Sequence, residues 1–162
     1  MKTKKQKIYL VQIGLKKGLF DAFGQDVLNS IRELGIQGIE MVHVYDVYKV
    51  YGDVNLELVK RIARALLFDP VAHEMKVGRY QHDERKSILP YVEVWYRQAV
   101  TDPVALTAKN GIRDLGIAVD IDISCGKKYE FHARKIDRET VETIATKILA
   151  NTLIQEFIIK GI

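Results

Sequence analysis

Residues that could bind a metal or act as nucleophiles are few and scattered. His43, His73, His82 and His132 lie in different predicted elements and form no helical pair, whereas a zinc site needs several converging ligands. Cys125, the only cysteine, occupies an apolar strand position without a neighbouring histidine, which indicates a buried structural thiol. The sequence therefore predicts no metal site, no cofactor and no catalytic residues in this chain.

Two further patterns could do chemistry, and each has a simpler interpretation. Asp120 and Asp122 alternate with apolar residues, so both carboxylates share one strand face, which is most simply the solvent face, although an acid pair would have the same spacing. The Lys16–Gly18 segment precedes a predicted helix and could bring cations and free N–H groups to an anion. Its simpler interpretation is a glycine-containing turn with solvated lysines. A P-loop is excluded because its glycine-lysine motif is absent from the sequence.

Length and composition describe an ordinary globular chain. It has 162 residues, of which 48% are hydrophobic and 28% charged, enough for one domain or two very small ones. The longest charge-free stretches have eight residues, too few to span a bilayer. The basic N-terminus has no cleavage site of the secretory type. With a single cysteine, these features lead us to expect a cytoplasmic protein.

The net charge of +4 invites a nucleic-acid interpretation, but its distribution opposes one. Four lysines near the N-terminus (Lys2, Lys4, Lys5 and Lys7) supply four positive charges, so the rest of the chain is near neutral. Elsewhere acids and bases are interleaved, whereas binding to phosphates needs basic residues on one surface. We interpret the basic tip as a solvated tail.

The sequence contains an internal repeat. RELGI at 32–36 recurs as RDLGI at 113–117, a separation of 81 residues. The same register aligns further positions, such as Asp21 with Asp102 and Tyr48 with Tyr129, and one inserted residue later it aligns Val59 with Val141. Such an ordered series indicates a tandem duplication.

Each half has the same predicted order of elements. The first half contains strands at Ile8–Leu15, Ile39–Val44, Val47–Tyr51 and Ala72–Val77; the second contains Tyr91–Tyr96, Val119–Cys125, Lys128–Ala133 and Gln155–Ile159. Asp21 and Asp102 are predicted N-caps of the first helices, and Asn55 and Asp137 of the second. Gly126-Lys127 predicts a tight turn in the second copy, where the first has Tyr45-Asp46. The order is β-α-β-β-α-β in both halves, as in ferredoxin-like folds.

This order predicts an α+β protein of two tandem repeats with antiparallel sheets. We expect the repeats at residues 1–75 and 91–162, with a linker at 76–90. Eighty residues leave one sheet face open, so the repeats should form an internal pseudo-dimer, either through their open faces or through edge strands. Trp95 is predicted on the open face, in the contact between the repeats or in a partner surface.

The whole chain resembles the PurS subunit of phosphoribosylformylglycinamidine synthase, present as two consecutive copies. The supporting segments are KKGLFDAFGQDVLNSIRELGI, YGDVNLELVKRIARALLFDPVAHE, YVEVWYRQAVTDPVALTAKNGIRDLGI and CGKKYEF. Copy one keeps Gly18, Asp21 and Gly24 of the family pattern but lacks its Gly-Lys pair. Copy two keeps Asp102-Pro103 and Gly126-Lys127 but has alanine in place of the two glycines.

The resemblance implies a non-catalytic component of that synthase, which serves purine biosynthesis. In the family, a PurS dimer joins a PurL-type, ATP-using amidotransferase to a PurQ-type glutaminase and supports ammonia transfer between them. Two copies in one chain would supply the dimer alone, as in the N-terminal region of fused PurS–PurL synthases. The sequence leaves open whether this is a free subunit or a segment of a longer enzyme. The binding sites for ATP, Mg²⁺ and glutamine would lie on the partners.

Other classes of function remain open at this stage. Tandem β-α-β-β-α-β repeats could form an ACT-like module that binds a small amino acid, or an RNA-binding module, although the aromatic strand motif of the latter is missing. For the adaptor interpretation we expect partner contacts at the two matching turns and at the predicted hairpin. The candidate residues are Lys16, Lys17, Gly18, Asp21, Trp95, Arg97, Asp102, Gly126 and Lys127.

Overall fold

The computed structural model describes residues 7–80, 88–117 and 120–162. The strands in these residues are β1 (Lys7–Leu15), β2 (Ile39–Gly52), β3 (His73–Arg79), β4 (Tyr91–Tyr96), β5 (Ile121–Ala133) and β6 (Gln155–Lys160). The helices are α1 (Ala22–Glu33), α2 (Leu56–Ile62), α3 (Pro103–Asp114) and α4 (Arg138–Ile144); α2 and α4 continue into π-helical turns, Ala63–Leu67 and Ala145–Leu149. The basic tip Lys2–Lys5, residues 81–87 of the predicted linker with His82, and the predicted strand start at Val119 lie outside the described residues.

One antiparallel sheet runs through both repeats. Its strand order is β3-β1-β2-β5-β4-β6, so each repeat supplies one half of the sheet. The halves meet where β2 pairs with β5, from Ile39 opposite Ala133 to Gly52 opposite Ile121. The repeats are therefore joined through edge strands, one of the two arrangements that the sequence left open. The fold class is as predicted, with two tandem units of the ferredoxin-like type.

In each unit the two predicted middle strands form one continuous strand. The prediction of tight turns at Tyr45-Asp46 and Gly126-Lys127 is therefore wrong. Both pairs lie inside long strands, β2 with 14 residues and β5 with 13. A turn would be needed if each repeat paired its own middle strands. Here the backbone groups of β2 find their partners on β5, so both strands stay extended.

An approximate two-fold axis passes through the centre of the β2–β5 ladder. Asp46 pairs with Lys127, and these residues occupy the same position of the two repeats. The neighbouring pairs, Tyr45 opposite Lys128 and Val47 opposite Gly126, are related to each other by the repeat separation. The internal pseudo-dimer is built around the pair of Asp46 and Lys127.

Each hydrophobic core combines helices of both repeats. The helices cover one face of the sheet, the helix face, and no described helix packs on the opposite, open face. One core contains α2 with α3 (Val59, Ile62, Ala108 and Ile112), and the other α1 with α4 (Leu28, Ile31, Val141 and Ile144). Neither repeat closes a core by itself, so each stabilises the other by burying its apolar surface. The boundaries 1–75, 76–90 and 91–162 stay a prediction.

The first helices of both repeats begin and end at the residues that local chemistry favours. Asp21 and Asp102 cap α1 and α3, as predicted. Gly35 and Gly116 follow these helices with φ angles of 79° and 71°, the left-handed conformation in which helices commonly end. Both helices have twelve residues, and nothing in the described part of the chain is a helix long and apolar enough to cross a membrane.

Helix α1 approaches β2 so closely that only glycine fits at one contact. A Cβ atom at Gly24 would lie 2.0 Å from the carbonyl oxygen of Val42. A contact this short with backbone can be relieved only if the helix moves away from the sheet. Gly24 therefore fixes how deeply α1 packs into the second core.

We predict that Gly24→Ala destabilises the protein, although helix propensity alone would make alanine favourable by about 1 kcal/mol. Overpacking should reduce the free energy of unfolding by roughly 1–3 kcal/mol. Chemical denaturation would measure this loss. The matched control is Gly78→Ala in β3, where a Cβ would meet nothing within 4 Å. Equal stabilities of the two variants would contradict the close packing of α1.

Candidate functional site

Asp21 and Asp102 each join a helix start to a central strand. One oxygen of Asp21 accepts from the backbone N–H of Gly24 at 2.8 Å, and the other accepts from that of Val44 at 2.9 Å. Asp102 makes the equivalent bonds to Ala105 and Cys125, both at 2.9 Å. Both carboxylates are thus engaged with backbone groups and hold the preceding turns in position.

The turn that begins at Lys16, the first of the two predicted to contact partners, lies beside the exposed turn that precedes β3. The backbone N–H of Lys16 donates to Ala72 at 2.9 Å, and its Nζ donates to the carbonyl oxygen of Pro70. Lys17 is exposed, and Gly18 has a φ of 92°, as a glycine turn requires. These two turns and the start of α1 carry exposed apolar side chains, which we call the first apolar patch: Leu19, Phe20, Phe23 and Val71.

The turn that begins at Arg97, the other one predicted to contact partners, repeats this arrangement with different side chains. The backbone N–H of Arg97 donates to Ile154 at 3.0 Å, and its guanidinium donates to the carbonyl oxygen of Thr152 at 3.0 and 3.3 Å. The guanidinium of Arg97 is therefore held against its own chain. The exposed apolar residues here form the second apolar patch: Val104, Leu106, Leu153 and Ile154.

Asx turns shape the neighbouring turn in both patches. The side chain of Asp69 accepts from the N–H of Val71 at 2.8 Å, and the side chain of Asn151 accepts from that of Leu153 at 3.2 Å. These bonds fix the backbone conformation at Val71 and Leu153, the most exposed residues of the two patches. Large apolar side chains held outward in this way are typical of protein–protein contact surfaces.

Trp95 is buried on the open face, with 3% of its surface exposed. Its indole N–H donates to Glu93 at 3.2 Å, and Nζ of Lys49 lies 3.8 Å from the centre of an indole ring. Burial lowers the pKa of Lys49. Because Lys49 belongs to the first repeat, Trp95 takes part in the contact between the repeats, one of its two predicted positions.

The repeats exchange large and small residues at one pair of strand positions. In the second repeat Trp95 lies opposite Gly126, where a Cβ would meet the carbonyl oxygen of Val94 at 2.6 Å and the indole at 2.7 Å. In the first repeat the equivalent residues are Gly14 and Tyr45, and a Cβ on Gly14 would meet the tyrosine ring at 2.5 Å. Gly126 therefore makes room for Trp95 within a strand, instead of forming the predicted turn.

Lys127 lies at the centre of the two-fold arrangement and pairs with Asp46. Its Nζ is 2.6 Å from Oδ1 of Asp46, and both side chains are about half exposed, 47% and 48%. Alternation along the strands places both on the helix face, between the two cores. Lys127 is thus accessible, although it belongs to a strand and not to a hairpin.

A polar cluster on the open face was not anticipated from the sequence. The rings of His43 and His132 are 4.9 Å apart, and Glu130 contacts Lys128 at 3.2 Å. The hydroxyl of Tyr45 donates to Glu130 at 3.5 Å; burial, followed by the charge of Glu130, raises the pKa of Tyr45 to about 12. Spacing along each strand puts His43 with Tyr45, and Lys128 with Glu130 and His132, on one face, but only the β2–β5 register brings the two sets together.

The remaining candidates for chemistry are held by neighbouring groups. Asp122 forms an ion pair with Lys109 at 3.2 Å, while Asp120 lies exposed before β5. Burial, with smaller effects of Asp102 and Asp46, raises the pKa of the Cys125 thiol, which therefore stays protonated. Within residues 7–80, 88–117 and 120–162, no three histidine, cysteine or carboxylate side chains are grouped so that they could hold a metal ion.

Comparisons with known proteins recover the duplication. A family model named PurS, described as phosphoribosylformylglycinamidine (FGAM) synthase, matches residues 9–80 and again residues 90–161. No curated protein shows a significant match to the chain.

Two solved structures are similar to about half of the chain. One is Methanocaldococcus jannaschii PurS, a subunit of formylglycinamide ribonucleotide amidotransferase, at 23% identity and a TM-score of 0.43; the match covers 48% of this chain and 99% of that one. The other is PurLQS from Thermotoga maritima, at 16% identity and a TM-score of 0.43, with 48% and 100% covered.

The exchange of large and small residues can be tested by transferring the pattern of the first repeat to the second. We predict that Gly126→Tyr alone destabilises the protein by about 3 kcal/mol or more, because the new side chain collides with Trp95 and with the carbonyl oxygen of Val94. Adding Trp95→Gly should recover part of the lost stability, because it removes the collision with the indole but not the contact with the carbonyl oxygen of Val94. In a double-mutant cycle, the free energy of unfolding of the double variant should be at least about 1 kcal/mol higher than the value obtained by adding the two single changes.

Gly78→Tyr is the control for this cycle, because β3 has open space at that position. Thermal and chemical unfolding would be measured for all variants. If Gly126→Tyr does not fold, recovery of a folded protein in the double variant is the deciding result. A double variant no more stable than additivity requires would refute the compensation.

Proposed function

This chain belongs to the PurS family, in two consecutive copies, and on that premise we propose that it joins the amidotransferase and glutaminase parts of phosphoribosylformylglycinamidine synthase. It is a component of this ligase of purine biosynthesis. The proposal adds that the chain is non-catalytic and that it binds a PurL-type and a PurQ-type partner. The observation that carries the proposal is the double match of the family model, at 9–80 and 90–161.

The architecture supports this role because one chain builds a complete two-repeat platform. Pairing of β2 with β5 joins the repeats, and both cores contain helices of both. The platform therefore forms without a second chain. Its parts keep fixed positions relative to each other, as a connector between two larger subunits requires.

The two apolar patches are the surfaces we assign to the partners. They occupy equivalent positions of the repeats, but the first contains two phenylalanines and the second only aliphatic residues. Equivalent positions with different side chains suit two different proteins better than two copies of one. We therefore propose that one patch binds the amidotransferase and the other the glutaminase.

In this proposal the chemistry takes place on the partners. ATP, Mg²⁺ and glutamine bind there, and this chain supports ammonia transfer by keeping the glutaminase next to the amidotransferase. We place the assembly in the cytoplasm, where the free thiol of the buried Cys125 would remain reduced.

Serine substitutions in the patches should weaken partner binding without unfolding the chain. We predict that Phe20→Ser and Leu153→Ser each reduce the affinity for one partner by about tenfold or more, because each removes a large exposed apolar contact. Leu34→Ser is the matched control, since Leu34 is exposed outside both patches. Co-purification and calorimetry with each partner would measure the effects.

Activity assays distinguish a connector from a structural bystander. In the reconstituted synthase, the patch variants should lower glutamine-dependent synthesis and leave synthesis from added ammonium salt unchanged, because ammonium bypasses the glutaminase. The proposal fails if both partners ignore the wild-type chain. It also fails if glutamine-dependent activity is the same with and without the chain.

A further inference from the structure

A cavity of about 220 Å³ lies on the helix face, next to the two-fold axis. Residues of both repeats line it: Asp46 and Tyr48 come from β2, whereas most of the other walls come from the second repeat. The junction of the two repeats therefore completes the cavity, because the first repeat adds Asp46 and Tyr48 to walls of the second. It is distinct from the Lys16–Gly18 turn and from the open face.

The floor of the cavity carries one negative and one positive charge. Oδ1 of Asp46 and Nζ of Lys127 are 2.6 Å apart, and about half of each side chain is exposed. In the described part of the chain, Asp46 Oδ2 and the other N–H groups of Lys127 make no hydrogen bonds. Both residues can thus bind an additional charged group while their own contact persists.

Neutral polar groups and apolar walls complete the lining. Burial raises the pKa values of Tyr48 and Tyr129, so their hydroxyls remain neutral donors; among the described residues neither hydroxyl has a hydrogen-bond partner. The apolar walls are the side chains of Val94, Val104 and Leu149. Such a cavity, mostly apolar with a few converging polar groups, is typical of small-molecule sites.

We propose that this cavity binds a free α-amino acid, with its ammonium group on Asp46, its carboxylate on Lys127 and its side chain against the apolar walls. The ammonium and carboxylate of an amino acid are attached to one carbon atom, so both can reach the adjacent charges of the ion pair. This inference does not require a partner, although the cavity adjoins both patches: Val104 belongs to the second, and Nζ of Lys127 lies 5.7 Å from the ring of Phe23 in the first.

The charge balance of the cavity selects against ligands that carry charge of only one sign. Phosphate or a simple carboxylate would contact Lys127 but would also face Asp46, and an amine would meet the opposite conflict. A zwitterion satisfies both groups at once. The neutral tyrosine hydroxyls can donate to the carboxylate without changing this balance.

The experiment uses the full chain and a panel of the proteinogenic L-amino acids at up to about 10 mM, scored by thermal shift and titration calorimetry. At least one member with an apolar side chain should raise the melting temperature and bind. The corresponding amine and the corresponding carboxylic acid, such as 3-methylbutylamine and 4-methylpentanoate for leucine, should each bind at least about tenfold more weakly.

Two variants locate the site. Lys127→Met and Asp46→Asn should each weaken binding by about tenfold, and Lys109→Met should leave it unchanged. Lys109 is a suitable control because its pair with Asp122 has a similar exposure, 44% and 50%, but lies outside the cavity. The inference is overturned if no amino acid binds, if the singly charged analogues bind equally well, or if Lys109→Met has the same effect as Lys127→Met. The comparison of analogues on the wild-type chain decides the question even if a variant does not fold.

Discussion

Antiparallel pairing of β2 with β5 is the interaction on which the rest of this molecule depends. It pairs backbone groups along both long strands, converts two half-sheets into one, and brings helices of the two repeats into contact with each other. Because α2 packs with α3 and α1 with α4, both cores are assembled across the junction. Loss of the ladder would therefore open both cores together, instead of releasing two folded halves.

Duplication within one chain removes a restriction that symmetry imposes on separate copies. In a dimer of identical subunits, any residue on the two-fold axis faces itself, so a charge there would meet a like charge. Here Asp46 faces Lys127, and attraction replaces that repulsion. The exchange of Gly14 and Tyr45 for Trp95 and Gly126 shows the same freedom, since each repeat pairs one glycine with one aromatic ring but carries the ring on a different strand.

Residue patterns within each repeat predicted the features that depend on local chemistry, and pairing between the repeats decided the others. RELGI and RDLGI revealed the duplication, and the aspartate caps of α1 and α3 followed from the preference for such residues at helix starts. The turn predicted at Gly126-Lys127 is wrong because glycine occurs both in turns and beside large side chains. The sequence alone does not show that Trp95 lies opposite. Spacing along β5 puts Glu130 and His132 on one face, but their approach to His43 depends on the register of β2 against β5, which no spacing within one repeat contains.

The two apolar patches show how a shared scaffold can carry different surfaces. In each repeat the turn after the first strand is bonded to the turn before the last strand, through Lys16 in one case and Arg97 in the other. These bonds use the long polar side chains to fix backbone positions, which leaves the outward residues free to differ. Phenylalanines therefore stand on one side where aliphatic residues stand on the other, without a change of fold. A symmetric dimer could not separate its two surfaces in this way, because every substitution would appear on both.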